Sequence, residues 1–481
     1  MYPARRTGNG RSESCGNDYL RSIDSRYEVL DDAARLAREF VATLDTRPVG
    51  ARADLAELRS RLSRPFTDAG EDPRAVIAEL AADVEPGLIA SAGPRYFGFV
   101  IGGSLPVAVA ADWLTSAWDQ NAGLHSMSPA AAAAEQTVGR WVLDLLGLPP
   151  SAGFGLVTGA QMANVSALAA ARHGVLRAAD WDVEAHGLAG APAVRVIAHE
   201  ETHSTVFNAL RLVGFGRDTT LRLPTDGQGR MDVAALAAAL GEGPAIVCAQ
   251  AGNVNSGAFD AFGEIAARCR EHGAWLHVDG AFGLWAAAAP GRAHLTTGVE
   301  LADSWALDAH KWLNVPYDGA LAIVRDPSAL SGSLALTGAY LTVAGEAERN
   351  GGDWAPEASR RARAFPMWAA LRSLGRDGVA DLVERDCRLA ARIAERLAAE
   401  PGVAILADVV LNQALVRFGD DDAATEAVIA RVQEEGTCWL GGTRWKGAAA
   451  MRVSVSGWQT TEDDADRSAD AIAAAWRHVR G

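Results

Sequence analysis

Cysteine is scarce and scattered: Cys15, Cys248, Cys269, Cys387 and Cys438 show no C-x-x-C spacing. That argues against a disulfide framework or a zinc ribbon and fits a reducing cytoplasm. Long apolar runs are also missing; none approaches the roughly 18 residues a membrane helix needs. The start, MYPARRTGNGRSESCGND, has no apolar h-region, so it reads as a disordered tail over 1–20 rather than a secretory signal. Positive charge is in deficit, 45 Lys+Arg against 60 Asp+Glu for a net charge of −15. Neither nucleic acid nor an anionic membrane is therefore an expected partner. Lysine is scarcest of all, with only Lys311 and Lys446 in an arginine-biased chain. A lysine kept under such bias is a candidate for chemistry that arginine cannot do, because only the lysine amine readily loses its proton and becomes a nucleophile.

What is present is a globular α/β pattern. Residues 21–92 carry helical periodicity, as in DDAARLAREFVATL and DPRAVIAELAADV, broken by Pro and Gly. Over 93–361, helical segments alternate with β-rich runs: GFGLVTG, AVRVIAH, TTLRLP, AIVCAQ, WLHVDG, DSWALDA and GALAIVRD. Such alternation predicts a mainly parallel central sheet covered on both faces, with function at the carboxyl ends of its strands. Within it, 342–356 is Gly-rich and polar, as expected of a mobile loop. Residues 362–481 read as a small C-terminal α+β domain in which long helical runs surround VVLNQALVRF and AAMRVSVSG.

Two motifs mislead. HEETH at His199–His203 matches the zinc-protease pattern, but AVRVIAH ends a strand at His199, so the two histidines straddle a turn instead of sharing a helix face. GFGLVTG resembles a dinucleotide loop, but its last glycine is one place late and no acidic residue ends the next strand.

The chemistry lies elsewhere. WLHVDGAFGLW delivers Asp279 at a strand end, and DSWALDAHKWL delivers His310 and Lys311 at the next. An Asp and a Lys at adjacent strand ends suit pyridoxal 5'-phosphate (PLP). The amine forms a Schiff base, and the carboxylate keeps the pyridine nitrogen protonated so that the ring accepts electrons. LVTGAQMANVSALAAAR supplies a strand, a small-residue turn and a helix start, whose N–H groups at Gly159, Ala160 and Gln161 suit a phosphate. His203, after a strand end, is placed to stack on the ring.

These residues resemble the group II PLP-dependent amino acid decarboxylases of fold type I, the family of aromatic amino acid, histidine, tyrosine and glutamate decarboxylases. The resemblance runs from about residue 90 to the end and is most specific in HVDGAFG and DAHKWLNVPYDGA. It implies that Lys311 is the Schiff-base lysine, Asp279 the ring-nitrogen partner and His203 the stacking residue, with Ala281 against the other ring face. Ala160 and Gln161 then bind phosphate, AGNVNSGAFD puts Asn253 near the cofactor, and Arg452 in MRVSVS matches an arginine that holds the substrate carboxylate in some members. SPAAAAAEQTVGRW and SRRARAFPMWAALRSLG also match family segments. An intertwined homodimer with an interface active site is implied.

One departure bears on the product. Family decarboxylases carry a tyrosine in the mobile loop that protonates the quinonoid carbon to give the amine. TVAGEAERNGGDWAP has none, and no tyrosine follows Tyr340. Without a placed acid, O2 can intercept that carbanion, and the outcome becomes oxidative deamination to an aldehyde. Amine formation leads, oxidative deamination follows, and β-elimination or transamination on the same scaffold and a catalytically dead PLP-fold binding protein stay open. On the substrate side, RYFGFVIGG places Phe97, Gly102 and Gly103 where relatives present an aromatic wall. The two glycines are expected to open that side to a bulky substrate, with Trp285 and Trp354 as further lining candidates.

Overall fold

A computed structural model describes residues 13–335 and 348–481, with side chains from Arg26 onward. Tyr340, the 342–347 part of the expected loop, residues 1–12 and the Cys15 side chain lie outside them. Residues up to Ala90 form one compact unit and Ser91–Gly481 another. The first unit is helical, with helices at Glu13–Val41, Leu55–Leu62 and Pro73–Val84. The last two start where Asp54 and Asp72 accept backbone N–H groups of the first turn. Arg74 ties the first helix to the third through Glu28 at 2.8 Å and Asp32 at 2.5 Å. The first helix begins at Glu13, within the stretch expected as a tail.

The second unit is built on a seven-stranded sheet: β1 (Gly153–Val157), β2 (Arg195–His199), β3 (Leu221–Leu223), β4 (Ala245–Gln250), β5 (Trp275–Asp279), β6 (Ser304–Asp308) and β7 (Ala320–Val324). Each falls in one of the β-rich runs of the sequence. Their spatial order is β1-β7-β6-β5-β4-β2-β3, and only β7 runs against its neighbours. β4 and β7 are buried along their whole length, as strands covered on both faces must be. Trp285, Trp305 and Trp312 are the largest side chains in the core.

The register puts Asp279 opposite Gln250 on one side and Ala306 on the other, so β5 and β6 end at one edge. His277, inside β5, fixes the helix Ala160–Arg177 over that edge. Its Nε2–H donates to Asn164 Oδ1 at 2.9 Å, while its Nδ1 lies 2.9 Å from Ser304 Oγ. Burial pushes its pKa down to about 3, so the ring is neutral.

A second sheet has four antiparallel strands, β8 (Val403–Ile405), β9 (Gln413–Phe418), β10 (Gly441–Trp445) and β11 (Ala448–Ser454), in the order β10-β11-β9-β8. Sequence patterning located β9 and β11 only. β8 has three residues, and β10 (GGTRW) lacks an apolar alternation. A two-residue turn, Lys446-Gly447, with φ of +49° and +87°, joins β10 to β11, the geometry that matches hairpin twist.

Two family-like segments meet through a buried ion pair. Arg360 Nη1 lies 2.7 Å from Glu135 Oε1, and the same guanidinium donates to the carbonyls of Ala122 and Leu156 at 3.0 and 2.5 Å. Among the described residues no helix is long and apolar enough to cross a membrane.

Candidate active site

The edge where β5 and β6 end carries the charged groups. Asp279 is buried and accepts the Ala281 N–H at 3.2 Å. Among the described residues no Arg or Lys pairs with it. A buried carboxylate without a cation is costly, so its position suits a positively charged ligand. Lys311 lies just beyond β6, and its Nζ is 3.1 Å from Asp308 Oδ2. His310 packs against Tyr317 with ring centroids 4.4 Å apart, accepts the Gly319 N–H at Nδ1 (3.3 Å), and places Nε2 3.4 Å from Asp308 Oδ1.

His203 caps the helix Ser204–Leu212; its Nδ1 lies 2.7 Å from Thr205 Oγ1 and accepts the Thr205 N–H at 3.3 Å. Burial lowers its pKa most, and the charges of Asp279, Lys311, Arg452 and Asp308 also act on the ring. One imidazole thus feels groups from two strand ends of the large sheet and one strand of the small sheet. Arg452, on β11, donates to the Val254 carbonyl at 3.2 Å and has no carboxylate partner among the described residues. Its pKa is lowered to about 10 by burial. An unmatched, partly desolvated guanidinium is a strong receptor for a carboxylate.

The helix Ala160–Arg177 starts at this edge. Its N-cap, Gly159, has no side chain to satisfy the first turn, and the Ala160 N–H donates to Asp308 Oδ1 at 2.6 Å. The Ala281 carbonyl accepts the Asp308 N–H at 2.9 Å, which ties the Asp279 turn to the lysine strand.

The expectations for Phe97, Gly102, Gly103 and Trp285 are corrected. Phe97 is buried in the core beside β9 and β11; its N–H donates to the Trp439 carbonyl and its carbonyl accepts the Ser454 N–H. Phe99, two residues on, carries the exposed ring, against Trp439. Gly102 and Gly103 do not leave open space. A Cβ at Gly102 would overlap the Lys311 carbonyl oxygen, and Gly103 is hemmed in by Asn314, Trp458 and Ala92. Asn253 Oδ1 accepts the N–H groups of Asn255 and Ser256 at 2.8 and 3.2 Å, and its Nδ2 donates to the Glu201 carbonyl, two residues before His203, at 3.4 Å. Trp285 is a core residue whose indole donates to the Asp308 carbonyl. His199 ends β2 and His203 caps the following helix, so HEETH does straddle a turn.

Three residues escaped sequence reading. Asp308 lies three places before Lys311, a spacing that reads only as a strand end. Tyr317 carries a raised pKa of about 12, from burial of its hydroxyl first and then from the charges of Asp308 and Tyr96. Asn314 is the hub of the lysine loop. Its Oδ1 accepts the N–H groups of Gly103 (2.7 Å) and Trp458 (3.1 Å), and its Nδ2 donates to the carbonyls of Trp312 (2.9 Å) and Ser456 (3.0 Å).

Comparison with known proteins places this geometry. Residues 56–418 match the model of the pyridoxal-dependent decarboxylase conserved domain. The chain is 28% identical to an aromatic-L-amino-acid decarboxylase of Bacillus atrophaeus, covering 91% of this chain and 92% of that one. It is 27% identical to a 4-hydroxyphenylacetaldehyde synthase of Rhodiola rosea, over 91% and 93% of the two chains. In fold it is similar to the crystal structure of Oryza sativa TDC with PLP and tryptamine, with a TM-score of 0.88, 24% identity, and 95% and 99% of the two chains covered.

Proposed function

Because the chain belongs to the pyridoxal-dependent decarboxylase family, whose members are PLP-dependent carbon–carbon lyases, we propose that it decarboxylates an aromatic L-amino acid, as its relatives' names suggest, with its cofactor on Lys311. The residues at the sheet edge fit PLP. Asp279 is a buried carboxylate with no Arg or Lys partner among the described residues and so suits the ring nitrogen, Lys311 is the lysine at this edge, and the Ala160–Arg177 helix start suits a phosphate. When bound, PLP accepts the electron pair left as carbon dioxide departs.

The protein's own groups do the rest. Arg452 holds the substrate carboxylate until it leaves, and Asp279 keeps a proton on the ring nitrogen. His203, kept neutral by burial, packs on the ring without adding positive charge. Tyr317, whose ring lies against His310 with centroids 4.4 Å apart, keeps its hydroxyl proton at neutral pH. The observation that carries this reading is the placing of buried Asp279 and of Lys311 at the adjoining ends of β5 and β6.

A second reading has its own support. The loop tyrosine is missing from the sequence, and the Rhodiola relative is named an aldehyde synthase. In that case amino acid, O2 and water give aldehyde, carbon dioxide, ammonia and hydrogen peroxide. We read the chain as a homodimer in a reducing cytoplasm, in keeping with Cys248, Cys269, Cys387 and Cys438, which are free and buried. The deciding experiment incubates the reconstituted enzyme with a panel of L-amino acids and measures carbon dioxide, amine, ammonia and peroxide together. Carbon dioxide matched by amine supports the first reading. Carbon dioxide matched by peroxide and ammonia supports the second, and no carbon dioxide from any aromatic amino acid rejects both.

A further inference from the structure

The first N–H of the Ala160–Arg177 helix already has an anion. Asp308 Oδ1 accepts it at 2.6 Å, while Oδ2 pairs with Lys311 Nζ at 3.1 Å. The carboxylate is almost wholly buried, with its side chain 3% exposed. Its backbone is pinned on both sides, by the Ala281 carbonyl (2.9 Å) and by the Trp285 indole N–H (2.9 Å). Asp308 is therefore held by its backbone and can leave the helix start only by rotating its carboxylate.

A carboxylate and a phosphate compete for the same feature of a helix start, its unpaired N–H groups and the positive end of its dipole. Two anions within a few ångströms in a partly dry site repel each other strongly. We propose that Asp308 is an internal anion that competes with the cofactor's phosphate at the Ala160 helix start and so sets this enzyme's cofactor affinity. The proposal rests on the PLP reading above. It extends that reading by giving the carboxylate a role opposite to a phosphate ligand: it holds the helix start and Lys311 together, and it opposes loading.

An asparagine at 308 keeps an acceptor for the Ala160 N–H, removes the charge and adds a donor for phosphate. Pyridoxal, which has the same ring and aldehyde but no phosphate, separates phosphate binding from the bond to Lys311. The test titrates apo forms of the parent, Asp308→Asn and Asp308→Ser with PLP and with pyridoxal. Binding is followed by the absorbance of the lysine-linked cofactor and, independently, by tryptophan fluorescence quenching. Asp308→Asn is expected to tighten PLP roughly ten-fold or more while pyridoxal changes by less than about two-fold. Asp308→Ser should move the PLP-to-pyridoxal ratio the same way, because it too removes the charge. Equal shifts for the two ligands, weaker PLP binding by Asp308→Asn, or a ratio that ignores both variants would overturn the proposal. A parent protein that binds no PLP sinks the PLP reading and this inference together. A parent that binds PLP with an affinity indifferent to position 308 sinks this inference alone.

Discussion

The two lysines of this chain sit in opposite surroundings. Lys446 occupies a two-residue hairpin turn at the surface, at a φ of +49°, and its Nζ donates to the Asp226 carbonyl at 2.8 Å. Nothing there needs an amine, and any residue tolerating that φ would serve. Lys311 lies beyond a fully buried strand, between core residues Trp312 and Trp305 in sequence, with its ammonium on the buried Asp308 and its carbonyl pressed against Gly102. The contrast separates a positive charge that happens to be lysine from a lysine the fold holds in place. Arg360, by comparison, has its charge matched by Glu135 and donates to two carbonyls. The groups around Lys311 are left open: Asp279 has no cation and Arg452 no carboxylate among the described residues. Open buried charge points to a ligand.

The largest effect that can break this comparison is on catalysis. Lys311→Arg keeps the charge but removes the nucleophile, so turnover should fall roughly 10³-fold or more, measured as carbon dioxide release. Retention of most activity would make Lys311 as dispensable as its surface counterpart. Next comes the loop that holds the lysine. Asn314→Ala strands the buried N–H groups of Gly103 and Trp458 and leaves an alanine at a φ of +53°. The expected loss is about 2–4 kcal/mol in a denaturant melt, and a loss below 0.5 kcal/mol would remove Asn314 as the hub.

A smaller effect concerns the layer behind the lysine. Asp386 accepts the Trp312 indole N–H at 2.8 Å, and burial pushes its pKa up to about 8. The folded state then binds a proton that the unfolded chain has released, so this group's contribution to stability falls as pH rises from about 4 to about 8. Asp386→Asn keeps the acceptor and abolishes that slope. The variant should gain roughly 1 kcal/mol or more over the parent at pH 9 relative to pH 5, and an equal difference at both pH values would reject a buried, proton-binding Asp386. The smallest effect is expected at the other lysine. Lys446→Ala should change stability by no more than about 0.5 kcal/mol and leave turnover unaltered, and a large loss of activity would erase the contrast.

How much of this was legible depends on the range of the interactions. The seven strands of the large sheet were visible as β-rich apolar runs, and Asp279, His203 and Lys311 stood out because each lies at or just beyond the end of one. The resemblance supplied Arg452, which lies on the other sheet. What could not be read are contacts that only folding creates. Gly102 reads as open space until the chain brings Lys311's carbonyl onto it, and Asn314 reads as a loop residue until Gly103 and Trp458 arrive from 211 and 144 residues away. Phe97 shows the sensitivity of such reading to phase. The bridge between Tyr96 and Trp439 sends Phe97 into the small-sheet core and leaves Phe99 to face outward. Asp308 was hidden for a different reason: a strand-end aspartate is ordinary, and only its contact with the Ala160 N–H distinguishes it.

With two lysines in the whole chain, one labelling experiment tests the central claim directly. The reconstituted protein is reduced with borohydride, digested, and mapped by mass spectrometry for the pyridoxyl group. Label on Lys311 alone is the expected result. Label on Lys446, or on neither lysine, would contradict the assignment of Lys311 as the residue that holds the cofactor.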